Sequence, residues 1–116
     1  MANATPTLYY NAGQIATIVL DTESVDGYAI DPINPRVEGV IGPDLVSLAG
    51  FPVSLVRLGN EVGTFIARLQ LPSTLNGLGT YLCLVKWVDP ESSYLRHKTY
   101  TIIVGINFGA ASAVGL

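Results

Sequence analysis

The stretch Thr64-Phe65-Ile66-Ala67-Arg68-Leu69-Gln70-Leu71 decides how the chain is read. Phe65, Ala67, Leu69 and Leu71 fall on one face, and Arg68 and Gln70 on the other. A strand with one buried side shows this period of two. No window of the chain sustains an apolar stripe at helical spacing between caps. Working outward, similar short runs cover residues 7–10, 14–21, 36–41, 53–58, 80–88 and 95–104, separated by Gly, Pro, Asn and Asp. Gly59-Asn60-Glu61-Val62-Gly63 supplies the turn that makes 53–58 and 64–71 antiparallel neighbours. Asp89-Pro90-Glu91-Ser92-Ser93 supplies a second hairpin. Residues 44–52 fit either a short strand or an irregular crossing. The expected fold is all-β, an antiparallel β-sandwich of about seven strands.

The strand 80–88 differs from the others. In Tyr81-Leu82-Cys83-Leu84-Val85-Lys86-Trp87-Val88, both faces are apolar, with Cys83, Val85 and Trp87 opposed to Leu82, Leu84 and Val88. Such a strand lies at the centre of a sheet or meets a partner.

At 116 residues, the chain has the size of one domain. We divide it into a sandwich over residues 1–104 and an apolar C-terminal arm over 105–116. Apolar residues make up 49% and charged residues 13%, about half the charged share of an average soluble protein. A lightly charged surface points to cover by another chain, although small Thr- and Ser-rich β domains also manage with few charges. The net charge of -3 and the scattering of six basic residues argue against nucleic acid. Cys83 is the only cysteine, so there is no internal disulfide, and synthesis in a reducing compartment is expected. The N-terminus lacks the basic and apolar regions of a secretory signal.

Chemistry-bearing clusters are sparse. His97 is the single histidine; Asp89 and Glu91 lie near it in sequence, but no nucleophile or oxyanion donor accompanies them. Asp21, Glu23, Asp26 and Asp31 crowd one loop region and offer oxygen ligands to calcium, yet ordinary turn carboxylates explain them and the spacing is not that of an EF-hand. No nucleotide-binding glycine motif occurs. We expect no enzyme activity and no cofactor.

Gly77-Leu78-Gly79-Thr80-Tyr81-Leu82-Cys83 resembles the late-strand signature of immunoglobulin-like domains, in which a Tyr two positions before a Cys locks a corner through its hydroxyl. Gly13-Gln14, Asp26-Gly27, Leu71-Pro72 and Trp87-Val88-Asp89-Pro90 add, in order, similarity to bacterial and phage Ig-like modules of macroglobulin type. With no second cysteine, the resemblance is to that wider group rather than to antibody domains. It implies an accessory structural protein of tailed bacteriophages, made in the host cytoplasm and carried on the virion. Such a protein decorates a capsid, neck or tail, binds other virion proteins and forms a homo-oligomer.

Contact residues are expected at the uncharged ends. Leu8, Tyr9 and Tyr10 form an aromatic first strand, suited to an interface or, for alternate residues, to the core. No charged residue follows Lys98, and Ile106, Phe108, Val114 and Leu116 mark an arm too short and Gly-rich to span a membrane. It packs on its own domain or on a neighbour. The alternative function is a carbohydrate-binding or adhesive module, in which Trp87, Tyr28 and Tyr94 stack on sugars.

Overall fold

The structure is a computed structural model and describes residues 7–71 and 78–105. Among these the chain is all-β, in two packed sheets. The strands are β1 (Thr7–Asn11), β2 (Ile15–Asp21), β3 (Ile33–Ile41), β4 (Val53–Ser54), β5 (Val56–Arg57), β6 (Thr64–Gln70), β7 (Gly79–Val88) and β8 (Leu95–Gly105). The larger sheet runs β1-β8-β7-β3-β4 and the smaller β2-β6-β5.

The alternation in β6 predicts its orientation. Ala67 and Leu69 are buried and Arg68 and Gln70 exposed, while Ile66, on the outer side, is walled in by its register partners Val19 and Val56. The inner faces meet in one core, to which β2 contributes Ala16, Ile18 and Leu20, β7 contributes Tyr81, Cys83 and Val85, and β8 contributes Tyr100, Ile102 and Val104. β7 lies between β8 and β3, a central place that accounts for its apolar character. Both expected hairpins form: β5 pairs antiparallel with β6, and β7 with β8 from Val88↔Leu95 onward.

Three features depart from the expectation. β1 pairs with β8 in parallel, so the larger sheet is not wholly antiparallel. After Asn11 a turn closed by the Gln14 N–H on the Asn11 carbonyl carries the chain across to the other sheet. The run 53–58 is two strands, which raises the number among the described residues to eight: Val53 and Ser54 pair with β3, and Val56 and Arg57 with β6. Between them Leu55 is buried and donates its N–H to Pro35 O at 3.0 Å, so the chain changes sheets around one anchored residue. β3 begins at Ile33, three residues earlier than expected, and reaches Arg36 through a bulge that contains Pro35, with a second register shift between Val37 and Gly39. A bulge suits a residue without an N–H to give to the ladder.

At one end of the sandwich Gly63 holds the loops together. Its N–H donates to Asp31 Oδ1 at 2.7 Å, and its carbonyl accepts from Thr22 N at 2.9 Å. It has φ +80°, and a Cβ there would stand 2.8 Å from Thr22 O. Left-handed strain and backbone overlap together set the cost of any side chain. Gly63→Ala should therefore lose about 2–4 kcal/mol of stability, read as a lower urea midpoint at unchanged slope.

Two acidic groups lie in the core. Burial pushes the Cys83 thiol from 9.0 up to about 12, and burial, with Cys83 and Asp21 nearby, pushes the Tyr100 hydroxyl from 10.0 up to about 12. Between about pH 9 and 12 the unfolded chain thus binds fewer protons than the folded one, and stability falls as pH rises. The contribution is complete below pH 9. A urea midpoint that holds up to about pH 9 and then declines steadily towards pH 12 is the expected outcome, and a flat profile contradicts it.

Candidate functional site

Among the described residues, the outer face of the five-stranded sheet lies outside the two-layer core. Since Tyr81, Cys83 and Val85 point inward, Thr80, Leu82, Leu84, Lys86 and Val88 point outward, and pairing aligns them with their neighbours in rows. The first row is Tyr9, Ile103 and Thr80; the second is Thr7, Thr101, Leu82 and Ile41. Thr99, Leu84 and Gly39 follow. Charge enters only in the fourth row, where His97, Lys86 and Arg36 lie side by side, with Arg36 bonded at 2.8 Å to Glu38. Leu95, Val88 and Ile33 complete the face.

At the uncharged end, β3 runs into a tight hairpin. Gly42 N donates to Val46 O and Leu45 N to Gly42 O, which leaves Pro43, Asp44 and Leu45 as a three-residue loop. Its third position takes the left-handed conformation for which glycine is preferred. Here Leu45 occupies it, at φ 66° and 83% exposed. A branched side chain in that conformation costs roughly 1–2 kcal/mol, with nothing regained by burial. Leu45 also lines a cleft of about 320 Å³ with Ile41, Gly42, Pro43, Thr80 and Leu82. Gly79 lets β7 approach it, because a Cβ there would meet Pro43 at 2.9 Å.

A second cleft, of about 330 Å³, opens at the other end of the sandwich. It is lined by Trp87, Ile30 and Val25 and by Asp21, Glu23, Asp89, Glu91 and Arg96. Much of its polar equipment serves the loops. Glu91 Oε1 accepts from Val25 N at 3.0 Å, and Asp89 accepts from Glu91 N and from Arg96. The Glu91 N–H, supported by Ser92 and Arg96, holds the Asp89 carboxyl below the usual carboxylate range. The Gly63 N–H, with Arg57, does the same for Asp31.

The residues singled out from the sequence are distributed as follows. In the first strand Leu8 and Tyr10 turn inward against the core, and Tyr9 faces outward, 55% exposed, beside Ile103. Ile106, Phe108, Val114 and Leu116 lie outside the described residues. Trp87 packs on the core and lines the end cleft, whereas Tyr28 and Tyr94 are exposed and do not line it. His97 is exposed on the outer face opposite Lys86, away from Asp89, whose carboxylate bonds Arg96. The carboxylates at 21, 23, 26 and 31 do not converge: Asp21 accepts from Thr64, Asp31 from Gly63 and Arg57, and no cluster of three or more potential ligands occurs among the described residues. Leu45, Val46 and Ile41 escaped the sequence reading as surface residues; Gly42-Pro43-Asp44 signals a turn, but a leucine gives no sign that position 45 is left-handed.

A buried thiol of high pKa is a poor nucleophile. In the folded chain Cys83 should react with a thiol reagent only as fast as the protein opens. Urea should accelerate labelling in step with unfolding, and rapid stoichiometric labelling of the native chain would contradict the burial.

Comparison with family models, with curated proteins and with solved structures finds no match to this chain.

Proposed function

We propose that this chain is an Ig-like, non-enzymatic structural subunit of a tailed bacteriophage particle, which acts by binding other virion proteins at the capsid, neck or tail. The Ig-like reading is supported by strand order. A three-stranded β2-β6-β5 sheet facing a sheet that contains β8-β7-β3 follows the B-E-D and G-F-C pattern of immunoglobulin sandwiches, with the first strand moved beside the last. Tyr81 and Cys83 then stand where that fold places its corner tyrosine and second cysteine. Tyr81 is buried, as a corner residue should be. The phage context comes from the likeness of the short motifs to phage and bacterial modules.

The observation that carries the functional reading is the uncharged end of the outer face. Two adjacent rows, from Thr7 and Tyr9 across to Ile41, contain only hydroxyl, aromatic and aliphatic side chains, and Leu82 at their centre is 43% exposed. Extended surfaces of this kind mark contact with another protein. A carbohydrate-binding module is the second reading; Trp87 in the end cleft favours it, while Tyr28 and Tyr94 stand outside that cleft.

Mass spectrometry of particles purified from the virus that encodes the chain should find it in stoichiometric amount. Leu82→Glu, a change on an exposed side chain, should reduce its incorporation at least tenfold without altering its thermal midpoint. Particles free of the chain would overturn the proposal.

A further inference from the structure

We propose that the cleft over Trp87, at the loop end of the sandwich, receives a lysine or arginine side chain of another protein, its stem on the indole and its charge among the rim carboxylates. The inference rests on the reading of the chain as a subunit that binds other virion proteins, and it adds a contact separate from the outer face.

Charge is sorted by position along the sandwich. Asp21, Glu23, Asp26 and Asp31 belong to the passage from β2 to β3, Glu61 to the turn before β6, and Asp89 and Glu91 to the turn after β7. Seven of the nine acids are thus at one end, with only Arg57 and Arg96 of the six basic residues. That end carries a formal charge of -5 and leaves +2 for the remainder of the net -3. Arg57 bonds Asp31 and Arg96 bonds Asp89, so the pairs leave five carboxylates over. A field of this kind attracts and orients a basic partner before contact.

The cleft supplies what a bare acidic surface lacks. Trp87 has the inward phase of Tyr81, Cys83 and Val85 on β7, but it stands half-buried at the margin of the core. With Ile30 and Val25 it forms the apolar part of a recess of about 330 Å³, which Asp21, Glu23 and Glu91 also line. These carboxylates surround the recess without converging on a point, and among the described residues no three potential ligands come together to hold a metal ion. Their arrangement fits a cation with a long apolar stem. Lysine and arginine side chains bury their methylenes and keep the charge at the edge, and an indole is the best of the aromatic rings at receiving a cation. The volume is near the lower bound of sites that hold small ligands, and is ample for one side chain. A neutral sugar also stacks on an indole, but it has no need of the -5 charge.

The recess is formed before any ligand arrives. Val25 N donates to Glu91 Oε1 at 3.0 Å and joins the first loop to the third, while Gly63 N donates to Asp31 Oδ1 at 2.7 Å and joins the first to the second. Binding then costs little ordering of the loops. Val25, Tyr28 and Tyr94, exposed in these loops, offer contact area to the protein that carries the side chain.

Trp87 is the only tryptophan, so its emission reports on the cleft directly. Titration of the full chain with capped Gly-Lys-Gly or Gly-Arg-Gly peptide should change that emission saturably, with a midpoint on the order of millimolar. Capped Gly-norleucine-Gly, which keeps the stem and lacks the charge, should not. Glu23→Gln should weaken the binding about fivefold at low salt with the thermal midpoint unchanged, whereas Asp44→Asn, at the opposite end, should leave the binding as it is. The absence of a saturable change with both basic peptides overturns the proposal. So does an equal response to the norleucine peptide, or one that Glu23→Gln leaves unaltered. A chain present in particles but silent toward both peptides loses the cleft proposal alone; one that binds them but is absent from particles loses the particle reading alone.

Discussion

Two tyrosine hydroxyls reach from the larger sheet to the free edge of the smaller one. β2 has β6 on one side only, so the N–H and C=O groups on its other side need partners. Tyr100 Oη donates to Val19 O at 2.5 Å, while Tyr10 Oη receives the Thr17 N–H at 3.0 Å and lies 3.4 Å from Thr17 O as donor. A third anchor would be a disulfide, and Cys83, beside Tyr100 in register, has no second cysteine to meet. Hydrogen bonds of this type contribute about 1 kcal/mol each, less than the roughly 2–4 kcal/mol typical of a cross-link. Their main effect is on placement. They fix where β2 sits over β8 and β1, satisfy an edge that would otherwise recruit another strand, and leave burial of the inner faces to supply most of the stability.

The same division of labour explains why one outer face is so large. Leu55 carries the chain from the larger sheet to the smaller after only two residues of β4, and β5 is equally short. The smaller sheet therefore has just β2 and β6 at full length. The larger has β1, β3, β7 and β8, and a sandwich of two layers provides no third layer to cover them. Leu82 and Ile41 are exposed because of topology, not because β7 and β3 are poorly packed; on their inner side Cys83, Val85 and Val40 are fully enclosed.

What the sequence discloses follows from how local each signal is. The alternation of β6 and the doubly apolar pattern of β7 are written in consecutive residues, and both strands fall within a residue or so of where periodicity puts them. The passage at Leu55 is only half written there. In Val53-Ser54-Leu55-Val56-Arg57-Leu58 the apolar phase slips between Leu55 and Val56, which marks an irregularity, but only long-range pairing reveals that the two halves join different sheets. The first strand poses the same difficulty, because alternation alone leaves open which of its residues face the core. That Leu8 and Tyr10 turn inward and Tyr9 outward depends on β1 lying beside β8 in parallel, a non-local fact. The acidic loop illustrates the converse error. Asp21 and Asp31 are near in sequence, but each is bonded to a different group around Gly63 and Thr64, so proximity along the chain creates no binding site.

Leu45 marks the point where local preference and observed conformation disagree. Most other left-handed positions take residues that suit them, Gly13, Gly27, Gly59 and Gly63 and also Asn34; Ser93, at φ 63°, is a second exception but a small and polar one. In the 42–46 hairpin the backbone disfavours the side chain, which at 83% exposure gains almost nothing from burial in return. Among the described residues nothing offsets the strain. Such conflicts concentrate where a surface is used, and the direction of argument runs from the outlier to the use. Here the outlier borders the one end of the larger sheet whose outward rows carry no charge, so strain, exposure and missing charge converge on a single patch.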